Sequence, residues 1–347
     1  MRFWARAKAA AFNVCAIAIA THAVAQTSAP QSSEPFYRGS TVKFVVGSAP
    51  GGGYDTFARL LSPYLSKQLD ATVVVENVPG AGGLTALNRL YASKPDGLQI
   101  MIVNGVAAAM SQIVDLDSVR FDLPKLGLLG IVNAEPWVWL ISPKSPHGSV
   151  SDLKRSGEII RWGASGFISG LADGAAMTCE ALDLKCRVIA GYPGSNEVAL
   201  ALGRGEVDAL YVSELPAQNY VGSGLGKNIA AIARTRPGAF PNVPTIFEAM
   251  QLTPEQTAKI NFRISIDELG RILVVPPGMS SERLTYLQEA VRKVMNDPAV
   301  LAEAKRRNLY VDYRTPEQTK ALIDSIFAEL TPAMKERVKE VATKSFR

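Results

Sequence analysis

The sequence predicts an α/β protein built from two βα lobes. In both halves of the chain, short apolar strands alternate with segments of helical spacing, a pattern typical of parallel βαβ units. The strands of the first half end in glycine-rich turns at 51–53 and 80–83, and the second half repeats this plan without repeating its sequence. Ligands bind at loops that follow the carboxyl ends of such strands. We therefore expect a ligand between two lobes that close by bending at a hinge.

The composition is that of a globular protein with an export signal. The chain has 347 residues, of which 47% are hydrophobic and 20% charged, enough for one large or two medium domains. Three basic residues precede an apolar run at 9–20, and Ala23-Val24-Ala25 predicts cleavage before Gln26. The run is too short to span a bilayer, and no cysteine stands directly after the cut to carry a lipid. We expect a mature protein that is soluble and periplasmic.

The net charge argues against nucleic acid as a partner. The whole chain carries 37 basic and 32 acidic residues. Loss of the three basic residues of the signal segment leaves 34 against 32, a net charge of +2, and no cluster of Lys and Arg marks one face. The basic pI of about 9.0 therefore comes mostly from a segment that the mature protein lacks.

Two cysteines remain after signal cleavage, Cys179 and Cys186. An oxidising compartment favours a disulfide between them. On one continuous helix they would lie too far apart to bond, but Asp183-Leu184-Lys185 indicates a turn that could bring them together. The alternative is a pair of buried free thiols.

The first predicted unit consists of a strand, a glycine turn and a helix. Val42 and residues 44–46 are apolar, Pro50–Gly53 excludes regular structure, and Thr56–Leu69 has helical spacing. Such a turn leaves unpaired amides at the positive end of a helix dipole, which suits a carboxylate. The phosphate-loop Gly-Lys-Ser/Thr and the third glycine of a dinucleotide fingerprint are missing. The alternative is a purely structural turn in which Asp55 caps the helix.

The later strands end in similar small-residue turns, and the chain divides accordingly. Because these turns contain no arginine or lysine, we expect helix dipoles, amides and water to meet the charge of an anion.

The assigned segments are a signal peptide at 1–25, a disordered lead at 26–40, lobe 1 at 41–141 and 251–347, and lobe 2 at 142–250.

Catalysis is the rival interpretation, with Ser165 or Ser195 as the nucleophile of a hydrolase. Neither serine lies in a Gly-x-Ser-x-Gly elbow. The mature chain has one histidine, His147, in a connector rich in Pro and Ser, so a triad would depend on it alone. No cluster of His, Cys, Asp and Glu has the spacing of a metal site. We expect a binding protein with no enzymatic activity, metal or cofactor.

The sequence also resembles a known family, the solute-binding receptors of tripartite tricarboxylate transporters, often called Bug receptors. The resemblance covers roughly residues 41–328, and six motifs occur in the family's order. They are Val42–Arg59, Val75–Gly83, Lys94–Gly97, Tyr192–Ser195 with Gly205–Asp208, Pro241–Thr245, and Pro276–Gly278. The resemblance implies a type II periplasmic-binding-protein fold, a monomer that closes over its ligand, and membrane permease subunits as partners.

The resemblance also implies where the ligand binds. By position in the family's motifs and by the chemistry of the turns, the candidate ligand-binding residues are Ser48, Pro50, Gly51, Tyr54, Asp55, Ala81, Gly82, Asn104, Ser165, Ser169, Tyr192 and Ser213. In that family the first two turns hold a carboxylate through amides and ordered waters. This chain departs from the family at Asn104, where a hydroxyl residue is usual, and at Ala172-Asp173, where His-Leu is common. It also lacks the usual tryptophan segment within 251–270.

Several of these candidates also have a structural interpretation. Tyr54 is either a lid over the ligand or packing at the helix start. Ser165 and Ser169 offer hydroxyls to a carboxylate or cap their own helix. Asn104 donates to a ligand or ends its strand, and Tyr192 is a pocket wall or a core aromatic.

The sequence predicts a periplasmic receptor that captures a small organic acid and delivers it to a tripartite tricarboxylate-type transporter. The alternative within the same fold is a receptor that presents its closed form to a two-component sensor kinase. The sequence does not distinguish these two functions, nor does it identify the acid.

Overall fold

The computed structural model describes residues 36–165 and 169–344, and side chains up to residue 341. It contains two five-stranded mixed sheets, each covered by helices. This confirms the predicted α/β fold with two lobes. The predicted signal peptide at 1–25 lies outside the described residues.

Ten strands are formed by the described residues. They are β1 Thr41–Val46, β2 Thr72–Asn77, β3 Gln99–Asn104, β4 Gly127–Asn133, β5 Trp137–Ile141, β6 Ile160–Ala164, β7 Cys186–Ala190, β8 Ala209–Ser213, β9 Lys227–Ile232 and β10 Arg271–Val275.

The helices, numbered along the described chain, connect these strands and form the C-terminal region. They are α1 Gly53–Leu69, α2 Leu84–Tyr91, α3 Gly105–Ile113, α4 Val150–Ser156, α5 Gly170–Ala181, α6 Ser195–Arg204, α7 Glu214–Gly222, α8 Ile246–Ala249, α9 Pro254–Asp267, α10 Ser281–Met295, α11 Pro298–Arg306, α12 Pro316–Ala328 and α13 Pro332–Lys344. Short 3₁₀ turns lie at Ala81–Gly83 and Leu123–Lys125. None of the described helices combines the length and the apolar character that a membrane span requires.

The two sheets share one topology. The first has the order β2-β1-β3-β10-β4 and the second β7-β6-β8-β5-β9. In the first sheet, β1 pairs in parallel with β2 and β3, while β10 is antiparallel to β3 and β4. In the second sheet, β6 pairs in parallel with β7 and β8, while β5 is antiparallel to β8 and β9. The parallel strands of each sheet therefore present their carboxyl ends, and the turns that follow, at one edge.

The chain crosses between the sheets earlier than the sequence indicated. Our partition placed 137–141 in lobe 1, but β5 pairs antiparallel with β8 and β9 of the second sheet. The first crossover therefore lies at 134–136, between β4 and β5. An apolar strand that is buried along nearly its whole length suits the centre of either sheet, so local pattern could not decide which sheet it joins. The second crossover runs from the end of β9 to the start of β10 and carries α8 and α9.

One apolar cluster joins the two lobes behind these edges. It extends from Met101 in β3, through Ile264 in α9, to Trp139 in β5, and all three side chains are almost fully buried. Burial of this area removes apolar surface from water and holds α9 between the sheets.

The predicted disordered lead was too long. Residues 36–40 are described, and Tyr37 is fully buried, with its ring stacked on Tyr286 of α10 at 5.4 Å between centroids. The guanidinium of Arg283 lies 3.7 Å from the centroid of the Phe36 ring. These aromatic contacts anchor the segment on lobe 1. They are made with residues far away in the chain, so the polar composition of the neighbouring residues gave no sign of them.

Cys179 and Cys186 form a disulfide in the structure. Cys179 lies in α5 and Cys186 begins β7, and the turn between them contains Asp183 with φ 55°. The turn that the sequence indicated at 183–185 thus brings the two sulfurs together. The indole of Trp162 donates a hydrogen bond to Cys186 Sγ at 3.2 Å.

Candidate functional site

A cavity of about 290 Å³ lies in lobe 1, where the turns after β1 and β2 meet the end of β3 and the start of α3. Its lining combines glycines, a few polar groups and many apolar side chains. The lining residues are Gly47, Ser48, Tyr54, Pro79, Gly80, Gly82, Gly83, Leu84, Leu87, Met101, Ile102, Val103, Asn104, Ala107 and Ala108. Four of the predicted ligand-binding residues are among them: Ser48, Tyr54, Gly82 and Asn104.

The first two turns are in direct backbone contact. A Cβ on Gly47 would lie only 2.7 Å from Gly83 Cα, so glycine is required for this approach. The second turn also contains Gly80, Gly82 and Gly83 at positive φ. Because no side chain separates the two turns, their main-chain groups face the same cavity.

Helix α1 begins with free amides. Its N-cap is Gly52, which offers no side-chain acceptor. In the described part of the chain, the amides of Gly53 and Tyr54 have no hydrogen-bond acceptor. Unpaired amides at a helix N-terminus attract an anion, in line with the prediction from the glycine turn.

Gly51 and Asp55 serve the turn itself. The Gly51 amide donates to Asp55 Oδ2 at 2.8 Å, and Asp55 also accepts from Arg59 Nε at 2.9 Å and Asn77 Nδ2 at 3.0 Å. The Arg59 hydrogen bond is the largest cause that lowers the pKa of the buried Asp55 carboxyl, to about 2. Asp55 therefore fixes the turn as an anion, and its three donors leave it poorly placed to recognise a ligand ammonium.

The second and third turns add further donors. The Gly82 amide has no acceptor among the described residues, and neither has the amide of the exposed Ala81. Asn104 caps α3, because its Oδ1 accepts from the Ala107 amide at 3.1 Å. The Asn104 Nδ2 group has no acceptor in the described part of the chain, so this side chain both ends its strand and presents a donor.

Ser48 contributes a buried hydroxyl to the cavity. Its Oγ is inaccessible to water and has no hydrogen-bond partner among the described residues. It lies 3.8 Å from the position of a Cβ built on Gly52, beside the start of α1. An unpaired buried hydroxyl is unfavourable in free energy, so a hydrogen bond from this hydroxyl to an acceptor atom of a ligand would be favourable. Pro50, by contrast, is exposed and does not line the cavity.

The structure adds a cation that the sequence did not indicate. The Arg271 guanidinium of β10 lies 5.1 Å from the ring centroids of both Tyr54 and Phe57. One arm, NH2, lies 3.2 Å from the position of a Cβ on Gly53. The turns themselves contain no arginine or lysine, and we had expected helix dipoles, amides and water to meet the charge of an anion. Sequence reasoning missed Arg271 because more than two hundred residues separate it from the first turn.

Arg271 is held in place by acceptors at the first crossover. Its NH1 donates to Asn133 Oδ1 at 2.9 Å and to Glu135 Oε1 at 3.2 Å. Glu135 Oε2 accepts from the amide of Leu215 in α7, at 3.2 Å. Burial raises the pKa of the Tyr54 phenol, and the Arg271 guanidinium opposes that shift. Tyr54 is thus packed at the helix start and also forms part of the cavity wall, so both interpretations apply.

The candidates from lobe 2 do not line this cavity. Ser169 is the N-cap of α5, and its Oγ accepts from the Ala172 amide. Tyr192 packs against the smaller apolar cluster of the second sheet. Ser213 ends β8, and Ser165 directly follows β6, before residues 166–168, which lie outside the described residues. The cavity therefore brings together four of the predicted residues, all of them from lobe 1.

A buried charged cluster connects α5 to α9. Arg263 is fully buried, and its NH1 donates to Asp173 Oδ1 at 2.8 Å, while its Nε donates to Asp267 Oδ2 at 3.1 Å. The Tyr211 hydroxyl also donates to Asp267. Burial raises the pKa of both carboxyls, that of Asp267 to about 6. Asp173 is one of the positions at which the sequence departs from the family motif, and nothing in the sequence indicated its partner.

Comparison with known proteins identifies the family. The model of the tripartite tricarboxylate transporter family receptor matches residues 57–338. BugT of Bordetella pertussis is 26% identical over 323 residues, which cover 89% of this chain and 92% of BugT. A Cupriavidus necator protein, named "UPF0065 protein in gbd 5'region", is 27% identical over 293 residues, with 81% and 83% covered.

Solved structures have the same fold. A TctC solute binding protein from Polaromonas superposes with a TM-score of 0.69 at 21% identity, covering 88% of this chain and 98% of that one. MatC from Rhodopseudomonas palustris, solved with bound malate, gives 0.64 at 21% identity, with 87% and 99% covered. An R. palustris protein solved with adipate gives 0.66 at 20% identity, with 87% and 97% covered.

These matches confirm the resemblance found in the sequence motifs. The family model spans most of the chain, and the relatives agree with it in length and fold. The chain therefore belongs to the solute-binding receptors of the tripartite tricarboxylate transporter family.

Proposed function

We propose that this receptor is exported to the periplasm, binds a small organic acid by its carboxylate at the lobe 1 turns, and delivers it to membrane permease subunits. One observation carries the proposal. The turns after β1 and β2 touch through Gly47 and Gly83, and one cavity is lined by Tyr54 and Gly82, whose amides have no acceptor among the described residues. Amides, a helix dipole and the Ser48 hydroxyl can compensate one carboxylate without a covalent or permanent bond, which suits a protein that must release its ligand.

The relatives support a carboxylate ligand. MatC was solved with malate and the R. palustris neighbour with adipate, both of them carboxylates. In our proposal the second lobe closes over the acid by bending at the two crossovers. Exclusion of water strengthens the amide contacts, and the ligand favours closure by its preference for the closed state.

The described residues give no support to catalysis. The His147 ring contacts Glu158 at 3.4 Å, and no hydrogen bond in the described part of the chain joins this ring to a serine. Ser195 Oγ instead accepts from the Tyr220 hydroxyl at 2.9 Å. Among these residues no group of three or more His, Cys, Asp and Glu could hold a metal ion. We propose a binding role without turnover.

Thermal-shift measurement against a panel of carboxylates tests the ligand class. A ligand at a hundred times its dissociation constant adds about 2.7 kcal/mol to the free energy of unfolding, so an acid that binds should raise the melting temperature. The matched amides of the same acids serve as controls. The proposal is wrong if sugars or cations raise the melting temperature and no acid does.

Ser48→Ala tests the proposed site. Removal of an unpaired buried hydroxyl should leave the free energy of unfolding unchanged or slightly higher, while acid binding should weaken about tenfold. Ser223→Ala, at an exposed position after α7, is the matched control and should change neither quantity. Unchanged acid binding in Ser48→Ala would place the carboxylate elsewhere.

Delivery to a transporter has its own test. Immobilised receptor incubated with membrane extract and the acid should retain permease subunits more strongly than receptor without the acid. Retention of a sensor kinase ectodomain in their place would favour the sensing role that the sequence left open.

A further inference from the structure

The cavity in lobe 1 has one polar end and a long apolar wall. Its polar side chains are Ser48, Tyr54 and Asn104, which stand at the ends of β1 and β3 or at the start of α1. The remaining non-glycine residues of the wall are Pro79, Leu84, Leu87, Met101, Ile102, Val103, Ala107 and Ala108, from the second turn, β3 and the helices α2 and α3. We propose that the ligand is a monocarboxylic acid with an apolar body. This inference rests on the proposed function, because it takes the carboxylate to bind at the glycine turns.

The donors at the polar end suffice for one carboxylate. The Ser48 hydroxyl, the Gly82 amide and Asn104 Nδ2 come from three different turns and have no acceptor among the described residues. The free amides at the start of α1 add the positive end of a helix dipole. A carboxylate has about four acceptor sites, so these groups can satisfy it.

A second carboxylate against the apolar wall would meet no cationic side chain. Leu87, Met101 and Ala108 are each about 1% exposed, and none of the residues that line this cavity is Lys, Arg or His. Burial of an ionised group against such a wall is strongly unfavourable unless it is paired. Arg271, the cation near the first turn, pairs with Glu135 through NH1 and leaves its Nε without an acceptor among the described residues, but its guanidinium lies against the Tyr54 ring and does not line the cavity.

The same wall favours an apolar body. Each methylene that leaves water for an apolar wall contributes enough free energy to tighten binding about fourfold. The cavity, at about 290 Å³, is small, so this gain is restricted to short aliphatic or single-ring acids. Tricarboxylates and hydroxylated dicarboxylates would bind more weakly, because they bury additional charge and have less apolar surface for the wall.

Hexanoate and adipate provide the decisive pair of probes. They have the same chain length and the same carboxylate, and differ only in a methyl or a second carboxylate at the far end. Calorimetric titration of the purified exported protein should show hexanoate binding at least tenfold more tightly than adipate. Binding should also tighten about fourfold per methylene from butanoate to hexanoate.

Failure of this inference is distinguishable from failure of the proposed function. Adipate that binds as tightly as hexanoate, or more tightly, would overturn the apolar-body inference and leave carboxylate capture intact. Hexanamide that binds as well as hexanoate, or the absence of binding by every acid, would overturn both.

Variants at Ala107 test where the body lies. This residue lines the cavity from α3 and is half-buried, so a larger side chain can enter the cavity without breaking the core. Ala107→Leu should weaken hexanoate at least tenfold and acetate little, because only the longer acid reaches the filled space. Ala107→Lys should raise the affinity for adipate relative to hexanoate, since it supplies the missing cation.

The matched controls are Ala302→Leu and Ala302→Lys, at an exposed position of α11. Both should leave the two affinities unchanged. Equal losses for acetate and hexanoate in Ala107→Leu, together with an unchanged preference in Ala107→Lys, would exclude the cavity as the site of the apolar body.

Discussion

The strand-turn-helix units β1-α1 and β6-α5 occupy equivalent places in two sheets of identical topology, yet they are built differently. Helix α1 has Gly52 as its N-cap and therefore lacks a side-chain cap, and its first amides are free. Helix α5 begins at Ser169, whose side chain caps its own helix. The same fold position therefore carries a side-chain cap in lobe 2 and none in lobe 1.

A buried carboxylate in the first helical turn shows the same contrast. Asp55 accepts hydrogen bonds from its own turn, its own helix and the neighbouring strand end, and its pKa falls to about 2. Asp173 pairs with Arg263, from a helix ninety residues later, and burial raises its pKa. The first acid fixes the glycine turn after β1. The second attaches the covering lobe to the crossover helix α9.

The largest expected effect is on the lobe 2 side. Arg263→Met should lower the free energy of unfolding by about 3–5 kcal/mol, because it leaves the Asp173 and Asp267 carboxyls buried without their partner. Urea denaturation measures the loss. Arg187→Met, at an exposed position of β7, is the control and should change stability by less than about 0.5 kcal/mol. A loss below about 1 kcal/mol for Arg263→Met would show that the cluster does not hold the lobes.

Next comes the contact between the two turns of lobe 1. In Gly47→Ala the new methyl group would overlap Gly83 Cα, so the turns must separate, at a cost of about 3 kcal/mol. Acid binding should weaken in parallel, since the amides no longer face one cavity. Gly222→Ala is the control, because no atom lies within 4 Å of the new Cβ. Normal stability and binding in Gly47→Ala would contradict the close approach of the turns.

The disulfide gives an intermediate effect on lobe 2. Replacing Cys179 and Cys186 by alanine together should cost about 2.5 kcal/mol, the loop-closure value for a separation of seven residues. The exported protein, denatured without reductant, should show no free thiol. Reduction should destabilise the native protein and leave the double variant unaffected. Two free thiols in the unreduced protein would exclude the bridge.

The smallest effect concerns Asp55 and depends on pH. Its folded pKa of about 2 lies below the ordinary value of 3.8, so the stability it contributes is complete above about pH 4 and is lost as the pH falls toward 2. Because Arg59 is half-exposed, water screens its attraction to Asp55 and limits the contribution of Asp55 to stability to about 1–2 kcal/mol. Asp55→Asn should therefore cost this amount at pH 6 and about half of it at pH 3, by urea denaturation. A cost that does not change between these pH values would show that the charge is not responsible.

The contrast between Asp55 and Asp173 also shows how far the sequence reaches. The Asp55 and Arg59 pair lies four residues apart on one helix, within the range of a local pattern. The partners of Asp173 and the neighbours of Arg271 are set by chain segments that meet only in the folded molecule. The apolar wall of the cavity is similar, because Leu84, Met101 and Ala107 each read as ordinary core residues until three elements bring them together.

The sequence by itself determined the α/β repeat, the glycine turns at the strand ends, the family and the turn between the cysteines. These features depend on backbone conformations that neighbouring residues dictate, since glycine and proline act within a few residues of their own position. Tertiary structure alone decided that β5 joins the second sheet, that residues 36–40 pack on lobe 1, and that Arg271 lies beside the first turn. Each of these depends on packing between segments far apart in the chain. Many apolar segments look alike in sequence as packing partners, and only the complementarity of their shapes in the folded protein decides which of them meet.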